Sequence, residues 1–457
     1  MKTHHYIFLT TAVFIILFYD QNLGLNLGIL AVIFSLLTFI KTHSESRTKS
    51  FYFFLATSVF SAIAFAWYGD FSSFAAVALS LMAFGFRARE KRLNILMLLP
   101  VALINAFTFI CRAFNFERWL PKTKTSHALQ KILAFVAIPL CFVVIFFWVY
   151  ASGSSHFLNV FTGYKLNLNL WQLIVISVLG FFISFNYWNF SVEKQIYKQH
   201  SFFKIDLDNS SKNQKPTFSF LDAKFERMSG FISLLCLNIL LVVFILTFNY
   251  EQFIETQKTT VQLGEETHDR VNAVILSIVM AILVIMFYFK GGFNFDKKAS
   301  GLRIVAKIWI FLNGILIISA FLKNAEYIEN MGLTYKKLGV YAFLFLSFIG
   351  LIFTFIKIQK KYANAFLVNK MTGYFYGTLL VCSFVNWGSL ITSENARRKD
   401  FAFEYHLRAV SFNEAVLLNL AKKKNNMKWK KNVEEKITSQ KSDKFLSKIL
   451  FYEFSGQ

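Results

Sequence analysis

Apolar runs of about membrane-spanning length recur along the chain, and almost no charge falls inside them. Twelve such runs can be marked, at 6–19, 24–40, 51–68, 71–86, 93–111, 132–151, 170–189, 230–249, 271–289, 304–323, 339–357 and 365–387. A helix needs roughly 20 apolar residues to cross the hydrocarbon core. Only helices and closed barrels satisfy their backbone groups there. The pattern therefore predicts an all-α, polytopic helical membrane protein with 11–12 transmembrane helices. Asp20-Gln21-Asn22 before Gly24, and Gly69-Asp70, read as tight turns between successive runs.

After Asn386 the pattern changes. Residues 394–457 carry 14 basic and 8 acidic side chains and no run long enough to span. Ser411-Phe412-Asn413-Glu414 has the spacing of a capping box before Ala415-Val416-Leu417-Leu418. Phe445, Leu446, Ile449, Leu450 and Phe454 recur at helical spacing. A small helical C-terminal domain follows from these signals. The chain thus divides into N-terminal helices over 1–129, a main transmembrane domain over 130–393 and a tail over 394–457.

Charge adds a sidedness, because Lys and Arg gather in cytoplasmic loops. If all twelve runs cross and the N-terminus is cytoplasmic, 14 basic residues before the tail fall inside and 21 outside. If 93–111 enters without crossing, the division becomes 29 inside and 6 outside. The second arrangement is preferred, with a re-entrant 93–111. Pro100 lies in that run and both its flanks are basic, and proline interrupts a helix's hydrogen-bond ladder. The acidic loop 250–270 then lies outside, the basic loop 190–229 inside, and the tail outside against its own charge. The predicted location is a bacterial cell inner membrane, multi-pass.

Composition narrows the chemistry. Hydrophobic residues make up 55% of the 457 and the net charge is +23. With no nucleic-acid-binding motif present, the basic excess points to a lipid bilayer and not to nucleic acid. Lys422-Lys423-Lys424 with Lys428, Lys430 and Lys431 reads first as a solvated helix face and second as contact with anionic headgroups. Cys111, Cys141, Cys236 and Cys382 read as buried small hydrophobes. No zinc spacing, phosphate loop or nucleophile elbow occurs, so no cofactor and no metal is expected.

Few polar groups enter the runs, which disfavours a proton relay or cation-coupled carrier. Asn238 and Asn313 lie near mid-membrane, with Asn105 and Asn186 in or near other runs. Such amides usually bond between helices. Lys307 and Lys323 near helix ends can snorkel. His268-Asp269 beside Glu265 and Glu266 reads as solvated loop charge rather than a cation site.

Two segments have more character. One holds Glu326 to Thr334, the other Asn386 to Arg398. On YIENMGLTYKKLGVYAF (327–343), NWGSLITSENARRKDFAFEYHL (386–407) and AIPLCFVVIFFWVYASGSSHF (137–157), the chain resembles the bacterial polytopic membrane proteins catalogued as domain of unknown function forty-one seventy-three. The similarity extends from about 130 to 420. That family would have Pro and Asp where this chain has Trp387-Gly388. The resemblance implies a bacterial inner-membrane protein and supplies no activity.

Three functions follow in order of preference. The first is a non-enzymatic sensing, scaffolding or accessory protein with a possible membrane protein partner. The second is a transporter or channel for a weakly polar or lipid-like solute, passing Asn238 and Asn313. The third is a membrane enzyme acting on lipid or cell-wall intermediates, with Glu326 and His268 as first suspects. Glu326, Thr334, Asn395 and Arg397 are the candidate ligand-binding residues.

Overall fold

A computed structural model describes residues 2–91, 93–120, 169–192, 222–253, 260–289 and 292–454, with isolated positions at 135–150 and at 197; for 252–253, 260–271 and 292 only the backbone is described. Among these residues all regular structure is helical. In chain order the helices are α1 (Thr3–Phe18), α2 (Leu25–Lys41), α3 (Lys49–Tyr68), α4 (Phe71–Arg89), α5 (Leu98–Phe107), α6 (Phe109–Phe114) and α7 (Phe116–Trp119). Then come α8 (Leu170–Trp188), α9 (Ala223–Phe253), α10 (Thr260–Tyr288), α11 (Ser300–Met331), α12 (Tyr335–Lys360) and α13 (Asn364–Phe384). The last are α14 (Trp387–Asn395), α15 (Phe403–Ala409), α16 (Glu414–Lys423), α17 (Met427–Lys441) and α18 (Leu450–Phe454).

Six of these segments are long and apolar enough to cross a membrane: α3, α4, α8, α9, α11 and α12. A seventh is α13 with α14, bent by 68° between them. α1 and α2, at 16 and 17 residues, fall short of the length a perpendicular crossing needs. Run 132–151 and most of loop 190–229 lie outside the described residues.

Segment 93–111 forms α5 and the start of α6, and the two do not part at the proline. Pro100 is the third residue of α5, in the first turn, where a missing N–H costs nothing. They part instead at Thr108, the residue between α5 and α6. Thr108 N still donates to Ile104 O at 2.9 Å and Arg112 N to Thr108 O at 3.0 Å on either side of the parting.

The chain forms two units, 1–22 with 102–191, and 23–101 with 192–457. In the first, α1 packs along α8, and Trp188 Nε1 donates to Thr10 Oγ1 at 3.1 Å. Asn105 pairs both backbone groups of Ser191, each at 2.8 Å. Arg112 donates to the carbonyls of Asn105 and Asn189 and to Asn186 Oδ1. Asn105 and Asn186 are thus spent on closing this unit.

The second unit holds two packed sets. α2, α3 and α4 meet through small residues, where a Cβ on Gly28 would lie 3.0 Å from both Ala62 O and Ala66 Cβ. Tyr376 of α13 bonds Ser80 at 2.7 Å and Thr57 at 2.8 Å, tying three helices. α9, α10, α11 and α12 share an aliphatic core around Leu234, Ile278, Leu316 and Leu351. The predicted turn at Gly69-Asp70 forms, with Gly69 left-handed (φ 62°) and Asp70 capping α4 through Ser73. Cys111 and Cys236 are exposed on their helices and Cys382 is half-buried, so none of these three is a buried thiol.

The tail is helical but departs from its pattern in two places. Glu414, not Phe412, opens α16, and Asn413 stands at its cap. Phe412 is left-handed (φ 62°), so Ser411 cannot cap the helix. The stretch 444–454 is a short turn plus α18, and it buries Tyr452 while leaving Phe445 and Phe454 exposed.

Candidate functional site

Helix ends carry unsatisfied carbonyls and a partial negative charge at the C-terminus. Many of the chain's cations answer that need. Arg47 donates to Phe39 O and Thr42 O at the end of α2. Arg87 covers Glu90 O, Lys91 O and Leu93 O after α4. At the end of α10, the fully buried Lys357 donates to Phe289 O at 2.8 Å, with Asn294 on the same oxygen. Asn364 reaches Met286 O at 2.9 Å.

The densest polar arrangement lies where the tail meets the ends of α11 to α14. α11 stops at Gly332, whose φ of 79° favours glycine, and Thr334 caps α12 by accepting from Lys337 N. The buried Lys337 turns its ammonium back onto Tyr327 O at 3.0 Å and Gly332 O at 2.5 Å, over the Tyr327 ring. Arg398 covers Ile328 O, Glu329 O and Asn330 O from the other side. Its second partner is Asp400, whose carboxyl the guanidinium holds below the usual range. Two cations therefore close one helix end.

α14 supplies the floor for the tail. Asn386 caps it through Ser389 N, and Trp387 Nε1 reaches Cys382 O at 2.9 Å. A Cβ on Gly388 would lie 1.7 Å from Ser411 O, so only glycine lets the Ser411 backbone rest there. At the start of α2, Gly24 plays the same part beneath Ser447 O, and Leu25 N donates to Lys448 O at 2.9 Å.

One turn apart on α14, Thr392 and Asn395 face the tail. Asn395 accepts from Leu333 N at 2.6 Å and donates to Leu333 O at 2.8 Å. The same amide nitrogen lies 3.3 Å from His406 Nε2, and His406 Nδ1 lies 3.0 Å from Thr392 Oγ1. Asn413 donates to Thr392 Oγ1 and to His406 O, both at 2.8 Å. Burial lowers the His406 pKa from its ordinary 6.5.

Deeper in the tail, Lys436 joins the buried Glu414 Oε1 at 2.8 Å and the carbonyls of Leu407 and Val410. Tyr452 donates to the same carboxylate oxygen at 3.4 Å, and burial followed by that charge raises its pKa. Glu414 Oε2 and Asn413 Oδ1 have no protein partner.

The four predicted rim residues are not one site. Asn395 and Thr334 belong to the junction, and both are spent on backbone groups. Arg397 projects outward, 78% exposed, beside Glu394. Glu326 pairs with Lys323 on its own helix at 3.1 Å. We expect Arg397→Ala to change thermal stability by less than about 0.5 kcal/mol, as exposed pairs usually do. A loss of several kcal/mol on melting would contradict this placement. Sequence reading missed Arg398, His406, Asn413 and Lys337. Only the Arg-Arg doublet hinted at Arg398, and nothing in the sequence separated the two arginines.

The mid-membrane amides are not joined either. Asn238 donates to Leu234 O on its own helix and to Val305 O on α11. Asn313 donates to Trp309 O, and both Oδ1 atoms lack partners. Val305 and Asn313 are eight residues apart, about 12 Å along α11. The side chains of Glu265, Glu266, His268 and Asp269 lie outside the described residues. Among the described residues no cluster of three or more His, Cys, Asp or Glu can hold a metal.

No curated protein and no solved structure matches the chain. A family model, a domain of unknown function designated DUF4153, matches residues 49–419. That match overturns the resemblance to forty-one seventy-three, DUF4173, which is a different family. Of the quoted stretches, 137–157 is largely apolar, and an apolar helix repeats across unrelated membrane proteins. Gly388 is accordingly no departure from a Pro-Asp pattern but a position that Ser411 requires. Since the match covers most of its length, this chain with candidate membrane spans belongs to the DUF4153 family.

Proposed function

We propose that the protein is a non-enzymatic accessory or scaffolding protein of a bacterial inner membrane, whose working part is the C-terminal cap formed by α15 to α18. The observation that carries this reading is how the junction's polar groups are used. Asn395, Thr334, Lys337 and Arg398 all bond backbone groups of the α11–α12 turn. They fix one folded surface against another and leave no constellation poised for chemistry.

The charge distribution in the larger unit supports a sidedness. The ends that meet the cap are those at Gly24, Gly69, Gly332 and Val385. The opposite ends carry Lys41, Arg47, Arg87, Arg89, Arg227, Lys298, Lys357 and Lys360. By the positive-inside rule, these opposite ends are cytoplasmic and the cap is outside, with the N-terminus cytoplasmic. Reporter fusions after Lys124 and after Lys212 should both report cytoplasm. A periplasmic signal at either overturns the orientation.

The orphaned Oδ1 atoms of Asn238 and Asn313 favour the solute-route reading, but their spacing gives no shared contact. Complementation of a deletion strain separates the two. Asn238→Ala and Asn313→Ala should complement fully, whereas cap-loosening variants should not. Failure of the two amide variants with an intact cap would favour a solute route.

A further inference from the structure

The hydrogen-bond pattern at His406 fixes its protonation state. Asn395 meets both the N–H and the C=O of Leu333, which sets which end of its amide is oxygen and which nitrogen. The nitrogen therefore faces His406 Nε2. Nε2 must accept, so the proton sits on Nδ1 and points at Thr392 Oγ1. The ring is neutral and 3% exposed. A second proton would set an N–H donor against the Asn395 NH2.

We propose that the His406–Asn395 contact is an acid-sensitive latch, which holds the C-terminal cap on the α11–α12 turn and releases it when the imidazole gains a proton. Among the described residues, the groups that hydrogen-bond or stack on the ring are neutral. Phe401 stacks on it at 4.7 Å, Tyr405 meets it edge-on, and Thr392, Asn395 and Asn413 complete the surround. The nearby charges are committed elsewhere. Arg398 is bound to Asp400 and the end of α11, Lys436 to Glu414, and Lys337 to Gly332 O. Among the described residues no carboxylate hydrogen-bonds or pairs with the ring.

The sign follows from linkage. Burial holds the ring's pKa in the latched state below its ordinary 6.5, so the open state binds the proton better. The latch is at full strength above that value and weakens as pH falls through and below it. Release would uncover Leu333, Ile391 and Val410, which the junction now buries as one cluster.

The test uses the full-length protein in lipid nanodiscs. Amide exchange of the peptide bearing Leu333 N–H, corrected for intrinsic rates, should quicken roughly tenfold between about pH 7.5 and about pH 5. In His406→Gln, whose amide can accept and donate without titrating, the corrected rate should stay flat. A wild-type profile as flat as the variant's overturns the proposal. Should the variant fail to fold, nitrogen NMR of labelled histidine in the wild type decides. His406, assigned through the Thr392 methyl, should show the Nδ1–H tautomer at neutral pH, and an Nε2–H tautomer overturns the latch.

Discussion

Gly388→Ala should unseat the C-terminal cap, at a cost of about 3 kcal/mol or more, the upper range for overpacking. The added Cβ would fall 1.7 Å from Ser411 O, and both partners are backbone. Neither can swing aside as a flexible side chain would. The Ser411 segment is held on both sides, by buried Val410 before it and by left-handed Phe412 and buried Asn413 after it. Limited proteolysis reads the result directly: the exposed Arg397, Lys399 and Arg408 sit on backbone that enters a protease only once the cap loosens. Gly373→Ala and Gly377→Ala on α13 are the controls, because nothing lies within 4 Å of either new Cβ. Alanine there should be neutral or slightly stabilising, given its helix propensity. If Gly388→Ala resists protease as well as those controls, the cap does not rest on α14 as described.

That contact marks the boundary of what the sequence could say. Period and length give the helices: α3, α4, α8 and α12 begin and end within a few residues of their apolar runs. Gly69-Asp70 announced its turn because a left-handed glycine and a capping aspartate are local chemistry. Pro100 misled, because proline's effect depends on where the helix starts, and the first turn tolerates it. Ser411 misled for a related reason, since a capping spacing says nothing about a left-handed Phe412 within it. Position on a long-range contact map was not legible at all. Nothing local distinguishes Asn395, which clasps a turn 62 residues away, from Asn330 or Asn432. Nor does composition tell Arg398, folded over a helix end, from Arg397, which is solvated. The family resemblance failed on similar ground where it leaned on the apolar 137–157, since apolar helices carry little identity. The junction itself became visible only once distant backbone groups were placed together.

Asn395→Ala is expected to cost about 3 kcal/mol, from stranding a buried N–H and a buried C=O at Leu333, each worth about 1–3 kcal/mol when unpaired. Leu333 is 6% exposed, so water cannot replace both bonds without opening the turn. Local exchange at 332–334 should therefore rise roughly a hundredfold, the rate equivalent of about 3 kcal/mol. Asn395→Asp separates the clasp from the latch. A carboxylate still accepts from Leu333 N but repels Leu333 O, so it too is less stable than wild type near neutral pH. It also places a negative charge against His406 Nε2, which raises the imidazole pKa in the closed state. A raised pKa reverses the linkage: the contribution is then full below the ordinary histidine value and is lost as pH rises through the new one. Melting curves at several pH values should accordingly slope one way in wild type and the other in Asn395→Asp, with Asn395→Ala lower at every pH. Wild-type stability in Asn395→Ala would mean that the α11–α12 turn is held by Arg398 and Lys337 alone. Parallel slopes in the two proteins would mean that His406 does not sense this amide.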